Sequence, residues 1–98
     1  MKYKIQYLPL AVQDLQDIAR YLSGFYPKTA RRILNEMRQK IARLGENPRL
    51  CEVYPPDPAY RRMVVDQYLV FDQVNEDGRS VEIHRILRGS WNLPRYLE

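Results

Sequence analysis

Residues 60–87 read YRRMVVDQYLVFDQVNEDGRSVEIHRIL, and this stretch decides the fold. Apolar and polar side chains alternate over residues 60–65, 67–74 and 80–87, which is the period of strands with one buried face. Asp66 lies at a tight connection between the first two segments, and the Asp-Gly pair at residues 77–78 is typical of a hairpin turn. The stretch therefore predicts three consecutive antiparallel strands.

Two amphipathic helices are predicted before these strands, because apolar residues recur there at spacings of three and four. Pro9 and Pro27 suit the first turn of each helix, where a missing N–H costs nothing. We expect the first helix to end at Ser23-Gly24 with a left-handed glycine, and the second at residues 45–48. Two helices joined so closely should pack as an antiparallel hairpin. The apolar stripes are Leu8, Ala11, Val12, Leu15, Ile18, Ala19 and Leu22, then Ala30, Ile33, Leu34, Met37, Ile41 and Leu44.

The remaining segments complete an α+β fold of order β-α-α-β-β-β. Residues 2–7 alternate and predict a first strand, which should return as an edge strand beside a later one. Four prolines within residues 48–58 predict a loop or a short extended stretch, and residues 92–97 a terminal helical turn. We therefore expect one domain over residues 1–98, a mostly antiparallel sheet with the helical hairpin packed on one face.

Composition narrows the class of protein. One cysteine, Cys51, forms no internal disulfide, and one Cys with one histidine, His84, falls short of a zinc site, so we expect no metal and no cofactor. No apolar run approaches a membrane span and the first residues show no signal-peptide pattern, which predicts a cytoplasmic protein without membrane contact. The net charge of +4 comes from the first sixty residues, because residues 61–98 carry six basic and six acidic side chains.

Several short motifs, taken in order, resemble the RelE/ParE superfamily, the toxins of bacterial type II toxin–antitoxin (plasmid stabilisation) modules. They are LAVQDL at residues 10–15, NPR at 47–49, YRRMVV at 60–65, YLVF at 68–71 and VEIHRILRG at 81–89. The resemblance implies a growth-inhibitory toxin that a cognate antitoxin neutralises. It implies DNA gyrase, or the ribosome with its mRNA, as the target, and contact with operator DNA only indirectly through the antitoxin.

The superfamily has two branches, and candidate residues bear on the choice. A RelE-like toxin, or mRNA interferase, would be a metal-independent endoribonuclease acting on the ribosome, and its catalytic residues here would be Arg61, Arg62, Arg85, Arg88 and Tyr96. Leu69 and Trp91, however, occupy positions where that branch carries arginines. The resemblance therefore favours a ParE-like gyrase poison. A RelE-like nuclease and a decayed, non-toxic homologue that only binds its partner remain as alternatives.

Strand alternation also sorts these candidates by face. Arg61 and Arg62 should point to opposite faces, as should Arg85 and Arg88. Arg88, beside Gly89 at the strand end, is the better site candidate, whereas Arg85 is expected at the edge of the core or paired with a carboxylate.

Other charged residues have structural interpretations. Asp72, in the middle strand, needs a cation, for which Arg85 or Arg62 is the expected partner. His84 is interpreted as a surface or rim residue, on the face of Glu82, Ile86 and Arg88. The basic residues of the second helix are interpreted as a solvated helix face, and they are Arg31, Arg32, Arg38, Lys40 and Arg43.

Overall fold

The computed structural model describes residues 2–91 and 93–97, which form two helices packed on one mixed five-stranded sheet. The sheet order is β1-β5-β4-β3-β2; β1 runs parallel to β5 and the other neighbours are antiparallel. The elements are β1 (Lys4–Tyr7), α1 (Pro9–Phe25), α2 (Pro27–Ala42), β2 (Glu52–Val53), β3 (Arg61–Val65), β4 (Tyr68–Asn75), β5 (Ser80–Arg88) and α3 (Leu93–Tyr96). This confirms the predicted α+β fold. The proline-rich stretch adds β2, and Asn92, where the terminal turn was expected to start, lies outside the described residues.

The helical hairpin is joined by one residue, Tyr26. Gly24 remains helical without a positive φ, so the expectation that it ends α1 in a left-handed conformation is wrong. The helix ends one residue later because Pro27 disfavours helical geometry at the residue before it, and Tyr26 has φ −140° and ψ 72°. A short 3-10 helix, Arg43–Gly45, follows α2. No helix among the described residues is both long and apolar enough to cross a membrane.

Both strand connections use a left-handed residue that is not glycine. Asp66 has φ 56° between β3 and β4. The turn between β4 and β5 forms at the predicted place, and the side chain of Asn75 accepts a hydrogen bond from the Gly78 N–H at 3.1 Å. Its left-handed residue is Arg79, with φ 47°, rather than Gly78. The Asp-Gly pair therefore predicts where the turn lies, but not which of its residues has the positive φ.

The sheet is covered on both faces. The helical hairpin buries one face in a core that joins Met37 and Ile41 of α2 to Val70 and Ile83 of the sheet. The opposite face carries a smaller core under the proline-rich segment and α3, made of Tyr54, Phe71, Leu87, Leu93 and Leu97. The Tyr54 and Phe71 rings meet edge to face at 5.0 Å between centroids. The proline-rich segment and α3 thus cover the face of the sheet that the helical hairpin does not contact.

A β-bulge interrupts the pairing of β4 with β5. Phe71 lies opposite Arg85 and Asp72 opposite Ile83, which leaves His84 as the extra residue. As a result Ile83 and Ile86 both belong to the helix-facing core, although they are three positions apart. Strict alternation along β5 predicted that His84 and Ile86 share a face, and this prediction is wrong because the bulge shifts the alternation after Ile83.

Candidate functional site

Asp14 of α1 stabilises β5 where β1 ends. The Leu8 N–H donates to the Ile83 carbonyl at 3.0 Å, and beyond that point β1 no longer pairs with β5. Asp14 replaces it: one carboxylate oxygen accepts the Ile86 N–H at 2.9 Å and Arg85 Nε at 2.8 Å. Its other oxygen accepts Arg85 Nη2 at 3.0 Å. The Asp14 side chain therefore accepts the backbone N–H of Ile86, which a continued β1 strand would otherwise pair.

This geometry corrects the expected partner of Arg85. The arginine was expected to pair with a carboxylate, and Asp72 was considered, but the bidentate partner is Asp14 on α1. Hydrogen bonding of Arg85 to the accepting Asp14 carboxylate is the main reason that the pKa of Arg85 is raised. The guanidinium is therefore fixed in its charged form by a fork that matches a carboxylate.

Arg85 also contacts the C-terminal segment. Its Nη1 donates to the Tyr96 carbonyl at 3.2 Å, and its guanidinium carbon lies 5.7 Å from the centroid of the Tyr96 ring. That ring in turn lies 5.3 Å from the Trp91 ring. The structure thus brings Arg85 and Tyr96 together, but every guanidinium nitrogen of Arg85 already has a protein acceptor.

Arg88 lies instead in a surface groove at the end of the sheet. Its Nη2 donates to the Gln67 side chain at 2.9 Å. Two neighbouring cavities of about 280 and 410 Å³ share Arg88, Tyr21 and Tyr68 in their linings. We call this pair of cavities the α1 groove. The first is also lined by Asp14, Asp17, Ile18, Ile86 and Trp91, and the second by Leu22, Tyr26, Thr29, Arg32, Ile33, Asp66 and Gln67.

Exposed aromatic rings border the α1 groove. Tyr21, Phe25 and Tyr26 are 55%, 66% and 61% exposed, and successive ring centroids lie 5.4 and 6.4 Å apart. Trp91, at the other side of the first cavity, is 45% exposed. Contiguous apolar surface of this kind marks interaction sites. This surface was not predicted from the sequence, although three aromatic residues within positions 21–26, at the end of a helix, were the available signal.

Arg61 and Arg62 lie away from this groove and on opposite faces of the sheet. Arg61 Nη1 donates to the Cys51 carbonyl at 2.7 Å, whereas the Arg62 guanidinium lies 5.7 Å from the Tyr54 ring centroid on the other face. Arg61 pairs in register with Asp72 and Arg88 with Tyr68, four residues apart along β4. That separation is about 13 Å. The five candidate residues therefore lie at four separate places, because only Arg85 and Tyr96 are in contact.

Asp72 is buried on the helix-facing side without a hydrogen-bond partner among the described residues. Burial raises the pKa of its carboxyl to about 7, although the charge of Arg61 opposes the shift. The expected partners are corrected, because Arg85 binds Asp14 and Arg62 lies on the opposite face. Burial and the charge of Asp72 also raise the pKa of the Cys51 thiol to about 11, so this thiol is unreactive at neutral pH.

His84 is partly buried at the rim of the second core. Its Nε2 has no hydrogen-bond partner among the described residues and lies 3.6 Å from the Glu82 carboxylate, while its ring packs edge to face on Tyr60. Within residues 2–91 and 93–97, no group of three His, Cys, Asp or Glu side chains is arranged to hold a metal ion.

Comparison with solved structures identifies the fold. A chain of the chromosomal ParDE TA system from P. aeruginosa superposes with a TM-score of 0.75 at 18% identity, covering 89% of this chain and 96% of that chain. A chain of the toxin–antitoxin complex RelBE2 from Mycobacterium tuberculosis gives a TM-score of 0.62 at 14% identity, covering 90% and 99%. No curated protein matches this chain. The helical hairpin on a mixed sheet is therefore the fold of the RelE/ParE superfamily.

The sequence comparison gives the finer assignment. The family described as the ParE toxin of the type II toxin–antitoxin system parDE matches residues 5–93. This range runs from the second residue of β1 to the first residue of α3, and so covers both long helices and all of the sheet except Lys4. The chain belongs to the ParE toxin family.

Proposed function

We propose that this toxin inhibits growth by binding a protein target, DNA gyrase, in the cytoplasm, and that a cognate antitoxin neutralises it. The ParE family match and the ParDE neighbour favour this target over the ribosome. One structural observation carries the proposal: the basic candidates for a nuclease site do not converge.

A metal-independent ribonuclease needs a group to activate the 2′-hydroxyl, cations on the phosphate and an acid for the leaving oxygen, all within one pocket. In this chain Arg61 faces the helices and Arg62 the opposite side. Arg85 is saturated by Asp14 and the Tyr96 carbonyl. Of the five candidate residues, Arg88 is the one that lines the α1 groove. This arrangement supports recognition of a partner over cleavage of RNA.

The α1 groove has the composition of a protein-recognition surface. Tyr21 and Trp91 flank one cavity, Tyr26 lines the other, and Arg88 lies between them. Tyr, Trp and Arg are the side chains that dominate binding energy at interfaces. We propose that the antitoxin places an apolar side chain in this groove and covers the exposed aromatic rings.

Another observation favours the nuclease as a second candidate. Arg85, Tyr96 and Trp91 lie in contact at the C-terminal segment, near the end of the strand that carries Arg88. Movement of that segment on the ribosome would be required to free the Arg85 guanidinium. The third alternative is a decayed homologue, which would bind its antitoxin and leave growth unchanged.

Induced expression in a bacterial host separates the three cases. A gyrase poison should arrest DNA replication first, with filamentous cells, a DNA damage response and gyrase trapped on cleaved DNA. Early loss of translation, with mRNA cut on ribosomes, would contradict the gyrase target and establish the nuclease. Normal growth with full expression would instead establish the decayed homologue.

The groove assignment has its own test, based on antitoxin binding to matched variants. Tyr21→Ala combined with Tyr26→Ala should weaken the antitoxin complex by roughly 30-fold or more, because two aromatic anchors are lost. Leu50→Ala combined with Val64→Ala removes apolar groups that are 50% and 59% exposed away from the groove. This control should bind as the unaltered chain does. Equal affinities for the two double variants would place the antitoxin elsewhere.

A further inference from the structure

The outward face of α2 carries a concentration of positive charge that the proposed function does not use. Lys28, Arg31 and Arg38 are exposed on this helix, and Arg43 is exposed just after it. The opposite side of the helix carries its buried residues Ala30, Ile33, Met37 and Ile41. We call these four cations the α2 stripe; at 1.5 Å per residue it is about 22 Å long.

The α2 stripe is not neutralised by neighbouring acids. Glu36 is the one carboxylate on α2, and it pairs with Arg32 at 3.8 Å and Lys40 at 3.1 Å. The four cations of the stripe form no ion pair with any residue that the structure describes. Outside residues 27–43 the chain has ten basic and eleven acidic side chains. The whole positive excess of the protein therefore lies along this one helix.

The side chains around the α2 stripe favour a nucleic acid duplex over a peptide or a single strand as its ligand. No residue of Pro27–Ala42, all of which the structure describes, is an exposed large hydrophobic residue. Exposed apolar side chains lie only at the two ends of the stripe, Tyr26 before the helix and Leu50 and Val64 in the cavity that Arg43 lines, so a peptide would find no apolar anchor along its length. Binding of single-stranded nucleic acid also depends on aromatic side chains for base stacking, which the stripe lacks. A line of unpaired cations suits the regular phosphates of a duplex, which carries one charge per about 1.7 Å of axis.

We infer that the α2 stripe binds the phosphate backbone of duplex DNA without reading its sequence. The choice of DNA over RNA rests on the proposed gyrase target, because an enzyme that acts on DNA would hold the toxin beside a duplex. The α1 groove, with its exposed aromatics, then remains available for a protein while α2 contacts the nucleic acid. Sequence-independent binding follows because phosphate contacts alone carry no base information.

The test measures how DNA binding depends on salt, using the purified chain without antitoxin or gyrase. Fluorescence anisotropy of a labelled 20-base-pair duplex of mixed sequence is recorded between 0.05 and 0.25 M salt, with a duplex RNA of equal length for comparison. Arg31→Gln with Arg38→Gln removes two of the four cations of the α2 stripe. Lys4→Gln with Arg20→Gln is the control, because it removes the same charge from β1 and α1, where both side chains are exposed.

Four phosphate contacts predict a slope of about −3.6 for the logarithm of the binding constant against that of salt concentration. The stripe variant should show a slope of about −1.8 and roughly tenfold or weaker binding at 0.1 M salt, while the control keeps the original slope. Equal slopes for the two variants, or no binding at the lowest salt, would overturn the inference. Tighter binding of the RNA duplex would overturn the assignment to DNA. Because gyrase is absent, failure of the proposed target leaves these slopes unchanged.

Discussion

Asp14 and Asp72 are two carboxylates in contact with the same sheet, and their surroundings differ in almost every respect. The side chain of Asp14 is 11% exposed and accepts three hydrogen bonds, two of them from a charged guanidinium. Asp72 is fully buried and accepts none from the described residues. The first carboxylate holds α1 to β5, whereas the second is a group that the fold buries at a cost.

The two carboxylates show that the burial of an acidic side chain does not by itself provide it with a cationic partner. Arg61 lies across the strand from Asp72, but it donates to the Cys51 carbonyl instead of the carboxylate. Arg85 reaches Asp14 because α1 crosses β5 where β1 has ended. Unpaired backbone at the end of β1 therefore positions the Asp14 carboxylate, whereas Asp72 lies in β4, which is paired with a strand on each side.

Removing the paired carboxylate should have the largest effect. Asp14→Ala leaves the Arg85 guanidinium partly buried without its counter-charge and the Ile86 N–H without an acceptor. We expect the free energy of unfolding to fall by about 3–5 kcal/mol, measured by urea denaturation at pH 7. Asp17→Ala, on the exposed side of the same helix, should change it by less than about 0.5 kcal/mol. Similar losses in both variants would show that Asp14 acts only through helix α1.

Neutralising the unpaired carboxylate should have the opposite sign. The pKa of Asp72 is raised from 3.8 to about 7, so between these values the folded chain holds a proton that the unfolded chain releases. Stability should therefore decrease as pH rises through this window. Asp72→Asn cannot ionise, and at pH 8 it should be more stable by roughly 3–4 kcal/mol, with little difference at pH 4.

Chemical denaturation at both pH values measures this effect, with Asp77→Asn in an exposed turn as the control. A stability difference that is the same at pH 4 and pH 8 would mean that the pKa of Asp72 is not raised in the folded chain.

Replacing Arg61 tests the surroundings of Asp72 further, with a smaller expected effect on stability than the two changes above. Its charge lowers the pKa of Asp72, so Arg61→Gln should raise that pKa above about 7. Loss of the hydrogen bond to the Cys51 carbonyl should cost about 1 kcal/mol. The pKa is read from the carboxyl carbon chemical shift against pH. Arg62→Gln, on the opposite face, should leave that titration unchanged; an equal shift in both variants would contradict the assigned faces.

Arg88 should show the smallest effect on stability and an effect on toxicity. Its guanidinium contacts an exposed amide rather than a carboxylate, so Arg88→Glu should change the free energy of unfolding by less than about 0.5 kcal/mol. Reversing the charge in the α1 groove should nevertheless reduce growth inhibition, measured by colony counts after induction. Arg85→Glu should instead lower stability by about 3 kcal/mol or more. Undiminished toxicity of a folded Arg88→Glu variant would show that growth inhibition does not depend on Arg88.

The sequence predicted most of the element order because hydrophobic period, proline position and turn residues are local signals. It could not predict the bulge at His84, since a period-two pattern contains no mark for one inserted residue. It also could not identify Asp14 as the partner of Arg85, because the two are 71 positions apart and meet only where α1 crosses β5. The α1 groove is likewise a product of packing, formed by side chains of α1, α2, β4 and β5.

The strand order has a consequence for how the chain is made. β5 follows every other strand in the sequence, yet it lies between β1 and β4, and its pairing with β1 joins Lys4 to Ser80. A nascent chain that has reached residue 79 therefore has no partner for β1 and no Arg85 to bind Asp14. Closing so long a loop is slow, because its entropy must be lost before the contacts form. Translation that stops before residue 80 thus yields an unfinished sheet and leaves α1 without β5, the strand that it packs against.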